Sequence, residues 1–76
     1  MQLATPHLTP QQWMFALFSD RAARNCGVLH RSVRDVERLI GRKAFVAEMR
    51  RRGFRVLENG GQFIIICNRE PLKRIV

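Results

Sequence analysis

The amino-acid sequence predicts a small α+β domain with three helices and a three-stranded antiparallel sheet, in the order helix, strand, helix, helix, strand, strand. Three observations point there. Apolar residues recur at helical spacing through the first two thirds of the chain, but the phase of that recurrence jumps near Gly41. Asn59-Gly60 lies between two β-rich runs, and such a pair is the strongest short hairpin signal because both positions tolerate positive φ. The run Phe63-Ile64-Ile65-Ile66-Cys67 is apolar at every position, as befits a central strand with some cover on both faces.

Residues 1–8 carry Pro6 and no periodic pattern, and they read as a flexible arm. A helix start follows. Thr9 serves as N-cap, Pro10 fits the first helical position, and Gln12 completes a capping box. The segment Gln11–Asn25 then reads as one helix, apolar at Met14, Leu17, Phe18 and Ala22 and widened by Trp13 and Phe15. Gly27 is the expected left-handed terminator. Residues 27–31 are too few for a helix and suit a brief strand.

Ser32 begins a second helix, with Asp35 in the capping-box position. Val33, Val36, Leu39 and Ile40 share one side at about 100° per residue. Continuing the same helix would carry Phe45 and Met49 to roughly the opposite side and turn Arg51 inward. A single straight helix cannot bury both groups, so the phase predicts a second helix over 33–40, a turn near Gly41–Lys43, and a third helix over 43–52 closed by Gly53. Residues 54–57 and 63–67 form the hairpin strands, with 58–62 as the turn. Residues 69–76 form a basic C-terminal tail, leaving 9–68 as the folded domain.

The totals narrow the function. Seventy-six residues make one modest core, since chains this short bury only about 60% of their unfolded surface. A hydrophobic fraction of 46% is too high for a disordered basic tail. Fourteen Lys+Arg against six acids give a net charge of +8. A folded domain with that surplus repels itself, which points to a polyanionic partner; a basic surface kept for solubility, or a compositional bias, gives the same count. Lys occurs only at Lys43 and Lys73, and Arg is the better residue for bidentate contacts to phosphate and guanine. Two cysteines are too few for a disulfide framework. No signal-like segment opens the chain and no apolar run approaches the roughly 20 residues that span a bilayer, so the expectation is a reduced, cytoplasmic protein without a membrane partner.

This order of elements resembles the winged helix-turn-helix family over about residues 10–68. In that family the short strand after the first helix pairs with the last strand, making the last strand central. The independent pattern of 63–67 asks for the same place. The resemblance implies that helix 43–52 enters a DNA major groove and that the hairpin touches the adjacent backbone. With Phe45, Val46 and Met49 inward, Lys43, Ala44, Ala47, Arg50 and Arg51 face outward. Small alanines let a helix approach base edges, and flanking cations hold phosphate or read guanine. Arg42 in the turn, with Arg52 and Arg55 beyond the helix, completes the expected contact set of Arg42, Lys43, Ala47, Arg50, Arg51, Arg52 and Arg55. Two features depart from the family pattern: the third helix lacks a capping side chain, and the hairpin tip carries Glu58 with only Arg55 at its base.

Other readings compete. Glu48 is spaced to pair with Arg51 or Arg52, and Asp35 with Arg38, so part of the charge run can be a solvated face. Trp13 and Phe15 belong to the core or, left exposed, to a homodimer surface. Cys26, His30 and Cys67 lack the paired spacing and the fourth ligand that structural zinc requires, so neither metal nor cofactor is expected. No Ser/His/Asp set, paired carboxylates or phosphate-binding glycine loop is present, and no enzymatic activity is expected. RNA is a weaker partner than DNA, because no aromatic pair sits on an exposed sheet face. The chief alternative is a protein-interaction module or small inhibitor docking its basic surface on an acidic or nucleic-acid-handling partner.

Overall fold

The computed structural model describes residues 9–76; the arm expected over 1–8 lies outside them. The chain is α+β, with α1 (Pro10–Phe18), α2 (Arg21–Arg24), β1 (Val28–Ser32), α3 (Val33–Leu39), α4 (Arg42–Arg52), β2 (Arg55–Asn59) and β3 (Gln62–Ile66). The order matches the expectation with one correction: four helices stand where three were read.

The first helix begins as its sequence dictates. The Gln12 amide donates to the Thr9 hydroxyl at 3.1 Å and the Thr9 amide to the Gln12 side chain at 2.9 Å, a full capping box. It stops early. The Ser19 hydroxyl donates back to the Phe15 carbonyl, and the Asp20 carboxylate accepts from the Ala22 amide at 2.8 Å, capping a fresh turn. The expected helix over 11–25 therefore becomes α1 and α2.

The terminator differs too. Cys26, at φ 58°, takes the left-handed position expected of Gly27. The Cys26 amide donates to Ala23 and the Gly27 amide to Ala22, the paired bonds of a Schellman end. Gly27 fits for another reason: a Cβ there would lie 3.1 Å from the Ala22 carbonyl oxygen, a contact tight enough that the backbone would have to shift by a few tenths of an ångström.

Ser32 caps α3, accepting from the Asp35 amide at 3.3 Å, while the Asp35 carboxylate accepts from Arg38 rather than closing a box. The break between α3 and α4 falls where the phase jump predicts. Gly41 supplies it, at φ 96°, and offers α4 no side-chain cap. α4 begins at Arg42, one residue earlier than read, and ends at left-handed Gly53.

The hairpin is tighter than expected. Asn59 pairs with Gln62, so Gly60-Gly61 makes the two-residue turn, both at positive φ. The sheet order is β1-β3-β2, which makes β3 central as its unbroken apolar run predicts. Leu29, Val56, Phe63 and Ile65 face the helices, while Ile64 and Ile66 lie on the outer face beside Val28 and Leu57. Val36, Phe45, Met49 and Ile65 are the most completely buried large side chains. Each contributes about 1.5–3 kcal/mol through burial. Phe45 sits at the middle, stacked on Phe63 at 4.9 Å and met edge-on by Trp13 at 6.4 Å. Trp13 therefore belongs to the core margin, and Phe15, 74% exposed, is left on the surface.

Candidate nucleic-acid interface

α4 is fixed by its inner side. Phe45 and Met49 are buried in the core and Val46 is half-buried, so the helix cannot rotate without emptying the centre of the domain. Its outer side is consequently set: Arg42, Lys43, Ala44, Ala47, Arg50, Arg51 and Arg52 are exposed. The seven residues expected from sequence divide into three groups by what each side chain already holds.

Lys43, Ala47 and Arg50 make the open part. They lie together on the exposed face at the spacing of successive helical turns, with Ala44 and Val46 beside them. Neither Lys43 nor Arg50 makes a hydrogen bond or ion pair among the described residues. Small Ala47 between two cations leaves a shallow surface that a phosphate backbone or a base edge can approach.

Arg51 and Arg52 are occupied. Both donate to the Glu48 carboxylate, Arg52 Nε at 2.7 Å, and the Arg52 guanidinium also lies 3.6 Å over the Phe18 ring. Hydrogen bonds first from Arg51 and then from Arg52 hold the Glu48 carboxyl down to about 2. Of the helical pairings read from sequence, Asp35 with Arg38 is formed, and Glu48, expected to take Arg51 or Arg52, holds both. The Arg51 guanidinium, two thirds exposed, still faces solvent.

Arg42 and Arg55 are tied further afield. Arg42 donates through Nε to Glu37 at 3.0 Å and through a terminal nitrogen to Glu58 at 3.1 Å, with its guanidinium 5.1 Å over Phe63. One side chain thus joins α3, α4 and the hairpin stem, and the two carboxylates, Glu58 foremost, raise its pKa further. Arg55 turns away from α4 and donates to the carbonyls of Asn68 and Glu70, holding the start of the C-terminal tail. Its expected place in a clamp beside α4 is not where its guanidinium points. Sequence reading missed this because the tail has no periodic pattern to place it. It also missed Glu37, and it placed Glu58 at the hairpin tip without seeing it as a partner of Arg42.

Between α4 and the hairpin runs an open groove of about 510 Å³, with Arg42, Arg50 and Val46 on the helix side and Leu57 and Glu58 on the strand side. The hairpin tip is exposed and carries no cation. Cys26 and Cys67 lie on adjoining backbone, since the Cys67 amide donates to the Gly27 carbonyl, but among the described residues they form no metal-holding group with His30: Cys26 is exposed at the end of α2, His30 is exposed on the outer sheet face, and Cys67 is buried. Burial pushes the Cys67 thiol up, away from the reactive thiolate. No helix among the described residues is long and apolar enough to cross a membrane.

No protein-family model, no curated protein and no solved structure matches the chain.

Proposed function

We propose that the chain is a small winged helix-turn-helix protein that binds duplex DNA, with α4 entering the major groove. One observation carries the reading. On a helix locked by Phe45 and Met49, Lys43 and Arg50 flank Ala47 on an exposed face, and neither cation is engaged by any described residue. The break at Gly41 between α3 and α4 and the central last strand support the same reading, because that family's arrangement calls for both.

In this reading Lys43 and Arg50 meet phosphates on either side of the groove, and Ala47 permits the close approach to base edges. Arg51 adds a second-rank contact, since Glu48 must share it. Arg42 exchanges its carboxylates for a phosphate. The uncharged hairpin tip serves as a spacer against the backbone. The outer sheet face carries His30 but no Phe, Tyr or Trp, and so lacks the aromatic pair on which RNA-binding sheets stack bases, which favours DNA over RNA.

The test is the double substitution Lys43→Ala with Arg50→Ala. Both side chains are exposed, so the fold survives, as the far-ultraviolet circular dichroism spectrum will verify. Duplex binding falls at least a hundredfold, about 2.7 kcal/mol or more. Unchanged affinity in a folded double variant removes α4 from the interface. The alternative, a module that docks on a protein, draws on exposed Val28 and Leu57 of the outer sheet face and takes the lead if the wild type ignores DNA at low salt.

A further inference from the structure

No Asp, Glu, Lys or Arg occurs before Asp20, in a chain where 26% of residues are charged. α1 is consequently the one described helix without a charge, while α2, α3 and α4 each carry at least two arginines. One side of α1 is spent on the core through Trp13, Met14, Leu17 and Phe18. Phe15 is not; its ring stands 74% exposed.

Beside Phe15 lies a groove of about 410 Å³ between α1 and the flank of α4. Met14 and Ile40 make its walls apolar, and Ala44 leaves room for a bulky guest. Its lining holds one acid and one cation, Glu48 and Arg52, paired at 2.7 Å, so the charges of the groove lining cancel.

We propose that this surface is a two-fold contact between two copies of the chain, the Phe15 ring of each seated in the groove of the other. Two molecules of charge +8 repel, and they can meet closely only where neither presents an uncompensated cation. On this face the one cation lining the groove, Arg52, is paired with Glu48. A protruding ring next to an open, largely apolar groove on the same surface also gives each copy both halves of the contact, as an isologous contact requires. An acidic partner would be drawn instead to the arginine-bearing faces of the other helices.

The contact leaves the proposed DNA face open. It uses the side of α4 that carries Ala44, Glu48 and Arg52, while Lys43, Ala47 and Arg50 lie further round the helix. The association itself stands apart from the DNA reading. Its use, presenting two α4 helices to one duplex, rests on that reading.

One aromatic anchor and a short groove fall at the small end of protein interfaces, so the dissociation constant in solution is on the order of 100 µM. Salt strengthens the association, because it screens the mutual repulsion, whereas it weakens DNA binding. The experiment is sedimentation equilibrium of the wild type and of Phe15→Glu from about 10 µM to 1 mM protein, at low and high salt. A wild-type monomer–dimer equilibrium that shifts toward dimer with salt is expected, with Phe15→Glu monomeric and its thermal melt unchanged. Ala44→Glu, which fills the groove rather than removing the ring, gives the same result. A wild type that stays monomeric throughout, or a Phe15→Glu chain that dimerises as well as the wild type, overturns the proposal and gives the face to another partner. DNA is absent from the experiment, so neither outcome bears on whether α4 binds a duplex.

Discussion

Glu48 accepts from Arg51 and Arg52 together, and what it does for the fold is legible in its titration. Its carboxyl lies at about 2 instead of 4.5, chiefly because of the Arg51 hydrogen bond. A depressed carboxylate stabilises the folded chain above its ordinary value and loses that contribution as pH falls through the folded one. Glu48→Gln therefore melts at a lower temperature than the wild type at pH 7. The gap narrows from about pH 4.5 downward and closes near pH 2. Thermal melts of the two proteins across that range test it, and a gap independent of pH would deny the ion pair its role. The spacing made this pairing legible from the sequence. Asp20 was not legible in the same way, because Ala22 and Ala23 continue the apolar pattern of α1 and disguise the cap that splits the helix. Nor was Cys26, a residue type with no preference for the left-handed position it occupies.

Between elements, Arg42 does the joining. Glu37 comes from α3 and Glu58 from the hairpin stem, and both converge on the first residue of α4. The free protein thus uses carboxylates where, in the proposed complex, phosphate stands. Replacing Glu37 and Glu58 together by Gln releases Arg42 and removes two repulsive charges. Duplex affinity then rises about tenfold and the log–log salt slope steepens by about one. Titrations of the double variant against the wild type decide it; equal affinity and slope would make Arg42 a structural brace only. Element order was open to sequence reasoning here because local chemistry announces it. The capping box at Thr9, the phase jump at Gly41 and the apolar run of β3 are each set by neighbours a few residues apart. The ties of Arg42 to Glu58 and of Arg55 to the tail carbonyls span more of the chain and follow no period, so they emerge only from the fold.

The whole molecule separates charge from apolar surface. Its cations lie from Arg21 onward, and the face of α4 that carries Lys43 and Arg50 turns to solvent away from the core. α1 keeps one uncharged, partly apolar side. Such a molecule is suited to meet a polyanion with one surface and its own copy with another. The central claim concerns the first of these, and salt tests it most directly, since each phosphate neutralised releases condensed counterions. The measurement is fluorescence anisotropy of the wild-type protein on a mixed-sequence DNA duplex, repeated from low to near-physiological salt. The account predicts tight binding at low salt and a log affinity that falls against log salt with a slope of about −3 to −5. No binding at the lowest salt, or an affinity indifferent to salt, would contradict it.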